Sequence, residues 1–316
     1  MKELLISKLF TMKRTCFAIT KRDVNSSFGY HVASKKPFYG LKWTISIVIA
    51  FILITSISHG NLYASGVSDS INPLSGKKAK IKLFNGKSLD GWYTFIKGKG
   101  RNNDPNEVFS VQDGLIVISG EEFGCITTVD EYENYKLVVE FKWGETTHEP
   151  RVEKARDSGI LLHSVGEDGG YSGIWMNSIE CQLIEGGTGD FIVVGDGSSD
   201  YSITCPVAAE KQGNSYVFDP KGELVTINSG RINWYGRDPD WKDEKGFRGA
   251  NDVEKPVGKW NRIECVVNGR EIKVYLNSKL VNHAFDVKPN KGKIQIQSEG
   301  AEIFFRKVEL TKLLPE

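Results

Sequence analysis

From about Lys80 onward the chain is a succession of short apolar or alternating runs, broken every few positions by Gly, Asn, Ser or Asp. Alternation is clearest in Ile272-Lys-Val-Tyr-Leu276 and Ile294-Gln-Ile-Gln297. A period of two is the mark of a strand with one buried face. The same reading predicts strands over residues 81–84, 115–118, 135–143, 159–163, 179–184, 224–227, 260–267, 271–276, 293–297 and 303–310. Val266-Val-Asn-Gly-Arg-Glu-Ile272 and Leu276-Asn-Ser-Lys-Leu-Val281 read as hairpins, because Asn and Gly supply the left-handed backbone that tight turns require. No helix-period run of useful length follows residue 66. The pattern therefore predicts an all-β sandwich or jelly roll of about 240 residues, within the range of one domain. The exception is 186–252, a long stretch rich in Gly, Asp, Ser and Asn. It is expected to cover one end or the concave face of the sandwich and to contact substrate.

Residues 1–65 follow a different pattern. Trp43 to Ile57 is an uncharged apolar run, preceded by Lys35, Lys36 and Lys42 and followed by small residues. It is shorter than the roughly 18 to 20 residues that cross a bilayer comfortably, so it reads as an export signal, with an uncleaved anchor as the alternative. The domain plan is thus a targeting segment over 1–65, a linker over 66–79 and one domain over 80–316. The expected location is periplasmic or extracellular, with membrane contact only through the N-terminal segment. Export permits disulfides. Cys125, Cys181 and Cys265, however, sit in apolar runs where a thiol acts as a small hydrophobe. There is no C-x-x-C pair.

The 41 Lys and Arg balance 40 Asp and Glu, which leaves no electrostatic case for a nucleic-acid partner. H-E-x-x-H, G-x-S-x-G and the P-loop are absent, so the corresponding metalloprotease, α/β-hydrolase and nucleotide readings fail. The 7 Trp and 11 Tyr suit a carbohydrate-facing surface as well as a β core. The candidate chemistry lies on the strands. In Ile179-Glu-Cys-Gln-Leu183 the apolar positions fill the core face, leaving Glu180 and Gln182 together on the other. Asp157 and His163 share a parity if their strand is regular. Glu140 and Lys142 share one, and Gln295, Gln297 and Glu299 form another row. If these strands are neighbours, their polar residues make one floor, with Arg156 at its end. Glu185 has the opposite parity to Glu180 unless a bulge re-aims it. Glu180-x-Gln-x-x-Glu185 is similar to the E-x-D-x-x-E strand of retaining jelly-roll β-glucanases, whose carboxylates stand about 5 Å apart. Here Gln182 replaces the central Asp.

The chain as a whole resembles the 3-keto-disaccharide hydrolase family. The matching pieces are Leu83-Phe-Asn-Gly-Lys-Ser-Leu-Asp-Gly-Trp92, Tyr135-Lys-Leu-Val-Val-Glu-Phe-Lys-Trp143, Asp157-Ser-Gly-Ile160, Ile179-Glu-Cys-Gln-Leu183, Gly258-Lys-Trp-Asn261 and the segment from Gly292 to Arg306. The resemblance implies a concanavalin A-like jelly roll acting on glycosides oxidised at C3, by C2 proton removal, loss of the C1 substituent and hydration. It makes Glu180 and His163 the candidates for proton transfer. Arg156, Lys142 and Gln182 become enolate or hydroxyl contacts, with Glu140, Asp157, Trp175 and Gln297 as further substrate contacts. Glu140 and Glu185 could instead hold a divalent cation; beyond that the sequence leaves the cofactor open. Two competing readings are distinguishable. A lectin-like binding domain needs an exposed platform of aromatics such as Trp175, Trp234 and Trp241, with Glu180 and His163 satisfied in the core. A retaining glucanase needs Glu180 and Glu185 side by side.

Overall fold

A computed structural model describes residues 80–314, and the targeting segment and linker expected before Lys80 lie outside them. Strands and turns account for these residues, with no helix among them. Two sheets pack face to face. The back sheet runs, edge to edge, Glu223–Ile227, Ser202–Val207, Lys279–Lys288, Glu271–Leu276, Asn261–Asn268, Tyr135–Thr147, Ala301–Lys312, Leu115–Ile118 and Phe109–Gln112; Lys80–Lys82 pairs with the Ala301–Lys312 strand. The front sheet runs Tyr216–Val217, Gly230–Asn233, Phe191–Val194, Asn177–Ile184, Asp157–Val165, Lys293–Ser298, Gly124–Thr128, Trp92–Ile96 and Gly100–Arg101. Pairing is antiparallel except between the first two front strands. From Tyr135 to Lys312 the chain crosses repeatedly between the sheets, as in a jelly roll.

The core is the set of inward positions that alternation selects. Leu137, Val139, Phe141 and Trp143 of the back sheet face Ile160, Leu162, Ile179, Cys181 and Leu183 of the front sheet. Burial of aliphatic and aromatic side chains at about 25 cal/mol per Å² drives this closure. The Leu83 to Trp92 segment is a corner brace. Asn85 Oδ1 accepts from the Lys87 and Ser88 amides at 2.7 and 2.9 Å, and the Trp92 indole N–H donates to Leu83 O at 2.6 Å. Both anticipated hairpins form, and Asn277 and Ser278 turn the second with φ of 48° and 73°.

The long 186–252 stretch is not a plain loop. It contributes Phe191–Val194 and Gly230–Asn233 to the front sheet and Ser202–Val207 and Glu223–Ile227 to the back sheet. Between Trp234 and Asn261 it becomes a strap, tied down by the Trp241 indole N–H on Glu185 O and the Gly246 amide on Glu185 Oε2, at 2.8 and 2.9 Å.

Candidate functional site

On the outward face of the front sheet, register fixes a row across neighbouring strands. Gln295 pairs with Leu161, Leu161 with Glu180, Glu180 with Ile192, and Ile192 with Arg231. One pleat along, Gly159 pairs with Gln182 and has Gln297 beside it. Asp157 follows on the same strand, two residues from Gly159, so all these side chains share one face. Gly159 is the centre of this arrangement. Its missing side chain leaves a notch that Glu180 Oε1 and Gln297 Oε1 both enter, and a Cβ there would overlap each of them.

Three oxygens on this face are enclosed yet have no protein partner: Asp157 Oδ1, Glu180 Oε1 and Gln297 Oε1. Asp157, Glu180 and Gln297 are only 3%, 4% and 1% exposed. Buried acceptors without donors are costly, so their concentration at one notch marks a place built for a donor-bearing guest. Asp157 Oδ2 is engaged by the Arg151 guanidinium, which also reaches Asp243 Oδ1 of the strap at 2.7 Å. Burial pushes the Asp157 carboxyl up to about 6 against the pull of Arg151 and Arg231. Burial, reinforced by the Asp157 charge, pushes Glu180 up to about 8, with Arg231 pulling the other way. Glu299 is held well above the usual carboxylate range, first by burial and then by Asp157 and Glu180. The site thus combines carboxyls poised on both sides of neutrality with two guanidiniums. Beside it lies an apolar wall of Trp175, Leu161, Cys125, Ile174 and Val194.

Gln182 also lies on this face, where its Oε1 accepts from the Leu183 amide at 3.0 Å. Several anticipated members are elsewhere. His163 would share the Asp157 face on a regular strand, but the register slips between Leu162 and Val165 and His163 takes φ of 55°. The ring turns inward, edge-on to Tyr135 at 5.9 Å, with Nδ1 2.8 Å from Pro289 O. Burial holds it down to about 4, so it is a neutral core residue apart from Glu180. Glu140 and Lys142 belong to the back sheet, on its outer side. Glu140 is matched by Arg262, Arg306 and Lys307 at 3.2, 2.6 and 3.5 Å, and Lys142 lies over the Trp260 and Phe304 rings. Burial works to raise the Glu140 carboxyl, but these three cations hold it below its usual range. Arg156 points to the strap end, where Nη1 donates to Glu185 Oε1 and Nε to Gly144 O, both at 2.9 Å.

Glu140 and Glu185 are therefore on different sheets or ends, each satisfied by cations, and do not fit as joint cation ligands. Among the described residues no group of three or more His, Cys, Asp or Glu is arranged to hold a metal ion. Glu185 is also turned away from Glu180, which removes the second carboxylate of a retaining glucanase. Of the three aromatics expected for an exposed platform, Trp175 and Trp234 are buried and Trp241 is half-buried, so they do not form one. Residues that pattern reading passed over are Arg151 and Arg231. Arg231 sits on a four-residue strand, too short for its alternation with Ile232 and Asn233 to register, and Arg151 sits in a turn after Pro150.

Among solved structures the chain is similar to two proteins of Parabacteroides distasonis ATCC 8503 that carry the provisional name of glycosyl hydrolase. One is 19% identical, covering 74% of this chain and 94% of that one at a TM-score of 0.44; the other is 22% identical, covering 74% and 100% at 0.43. The β-glucanase of Bacillus licheniformis is 12% identical, covering 76% and 100% at 0.40. No curated protein matches the sequence. Residues 79–311 match the model of the 3-keto-alpha-glucoside-1,2-lyase-like domain, and the chain belongs to that family.

Proposed function

We propose that this protein cleaves 3-keto-glycosides by elimination followed by hydration, at the notch over Gly159. The observation that carries the reading is the convergence there of enclosed, unpartnered oxygens from Asp157, Glu180 and Gln297, on a face flanked by Arg151 and Arg231. A ketone at C3 acidifies the C2–H bond. The Asp157 carboxylate takes that proton, and the electron pair moves into the enolate, whose oxygen a guanidinium stabilises. The enolate then re-forms the ketone as the C1=C2 double bond appears and the C1–O bond breaks. Glu180, protonated at neutral pH, delivers its proton to the departing oxygen. Water then adds its hydroxyl to C1 and a proton to C2, so the sum is hydrolysis. Gln297 accepts a sugar hydroxyl, and Trp175 bounds the apolar side.

The test is turnover of matched glucosides with and without a C3 ketone. Release of the aglycone from the keto form alone supports elimination; cleavage of the plain glucoside overturns it. Export belongs to the same proposal and is supported by the apolar run at 43–57. Fractionation that finds the protein in the cytoplasm would refute that part.

A further inference from the structure

The Glu180 face does not end at Arg231. Beyond it lies a cleft of about 380 Å³ whose lining includes Gln212, Ser215, Arg231, Asn233, Arg237 and Trp241. Arg231 belongs to both regions. It stands two strands from Glu180 through Ile192, about 10 Å at the usual strand spacing, with its side chain on the same face. The cleft and the notch therefore lie on the same face of the sheet, two strands apart.

The chemistry of the lining says what would fit. Asn233 is buried, and its Nδ2 donates to Gln212 Oε1 at 3.1 Å, while Gln212 Nε2 donates to Arg237 O at 3.0 Å. That chain fixes the amide orientation and leaves Asn233 Oδ1 as an enclosed acceptor without a partner. An acceptor of this kind asks for a hydroxyl or amide donor. The two guanidiniums bring no spare positive charge. Arg231 and Arg237 both pair with Asp190 Oδ2, and Asp238 also lines the cleft. An anionic guest such as a phosphate is disfavoured for that reason. The Trp241 indole N–H is committed to Glu185 O and the Arg237 guanidinium stacks over its ring at 4.1 Å, so the part of the ring left to the cleft is apolar. Neutral polar groups, one aromatic wall and a volume near the lower end of small-molecule sites suit a single sugar ring.

We infer that this cleft is the subsite for the departing sugar of a 3-keto-disaccharide, a neutral hexose held by Asn233 and neighbouring hydroxyl and amide groups. The inference rests on the reaction proposed above. It makes Ser215, Asn233 and Trp241 determinants of leaving-group preference, while the chemistry stays with Asp157 and Glu180.

The experiment compares the full-length protein with Ser215→Trp, which fills the cleft from a turn, and with Asn233→Asp, which keeps the shape but replaces the neutral amide by an acid. The readout is kcat/KM for a 3-keto-disaccharide divided by kcat/KM for methyl 3-keto-glucoside, whose leaving group is too small to need the cleft. A fall in this ratio of about thirtyfold or more, carried mainly by KM, is expected in a variant with native circular dichroism. An unchanged ratio in both variants overturns the subsite. If the unmodified protein turns over neither keto substrate, the reaction proposal fails by itself. The cleft is then judged by ligand-observed NMR with methyl glucoside. Saturation transfer that Ser215→Trp abolishes keeps a hexose site, and none in the unmodified protein removes it.

Discussion

Glu180→Gln tests the central physical claim, that a carboxyl is kept protonated on the front sheet. In the folded chain Glu180 titrates near 8, against 4.5 for an ordinary glutamate, because burial and Asp157 disfavour its charge. The folded state therefore holds a proton that the unfolded state releases at about 4.5. Stability contributed by this group is intact below that pH, declines as pH rises from about 4.5 to about 8, and is level above. At about 1.36 kcal/mol for each pH unit the gap sets a ceiling of about 5 kcal/mol. The pull of Arg231 is already contained in that value; relaxation around the buried carboxyl reduces the ceiling further, and about 3 kcal/mol is the expected loss. Gln keeps the size and cannot ionise, so the variant should match the parent near pH 4.5 and exceed it by about 3 kcal/mol at pH 9. The assay is urea unfolding followed by Trp fluorescence at several pH values, comparing the two proteins at each. His163 and Glu254 also titrate in or near this range, with Glu254 pushed to about 8 by burial, but they cancel in the difference. A difference that stays constant from pH 4.5 to 9 would show that Glu180 ionises normally, and the argument for a protonated acid would collapse.

Gly159→Ala should cost at least about a hundredfold in kcat, because the new methyl displaces both Glu180 Oε1 and Gln297 Oε1, with about 1–3 kcal/mol of stability lost by overpacking; steady-state turnover and thermal melting check it. His163→Asn, a residue that tolerates positive φ, should leave kcat within about threefold while lowering stability by about 1–2 kcal/mol, and a thousandfold loss of turnover would return His163 to catalysis. With Asp157 required ionised and Glu180 required protonated, kcat/KM should rise toward pH 6 and fall beyond pH 8. A profile still climbing at pH 9.5 would contradict that assignment.

The fold was legible because alternation reports burial directly. Glu271–Leu276 and Leu115–Ile118 have the anticipated ends, and the other anticipated strands differ mainly in length. What alternation does not carry is sheet membership. Val139 and Phe141 face inward and Glu140 and Lys142 outward, as their parity requires, yet the strand lies in the back sheet, so the pair faces away from Glu180. Parity says which residues travel together, and only pairing says what they meet. Inside 186–252 Phe191–Val194, Ser202–Val207, Tyr216–Val217 and Gly230–Asn233 were likewise hidden, since runs such as Gly230–Asn233 are too short to distinguish from the turns around them.

The site divides along the same line. Glu180 and Gln182 were visible because Ile179, Cys181 and Leu183 already filled the core side, and Asp157 and Gln297 fell on the expected parity. His163 failed for a local reason. One irregularity between Leu162 and Val165 exchanges its face, and a single positive φ at a histidine leaves no mark in composition or period. Arg151 and Arg231 come from a turn and from a concealed strand, so pattern reading offered Arg156 and Lys142 in their place, and these lie away from Glu180. Arg156 is instead matched by Glu185 at the strap end, an ion pair that anchors the strap away from the notch. The distinction follows from the partners these groups have. Glu140, Glu185 and Arg156 have partners that complete them, whereas Asp157, Glu180 and Gln297 retain unpartnered oxygens that, unlike the enclosed His163 Nε2 and Tyr135 hydroxyl of the core, gather on one face. Function is best sought among polar groups the fold encloses and leaves incomplete.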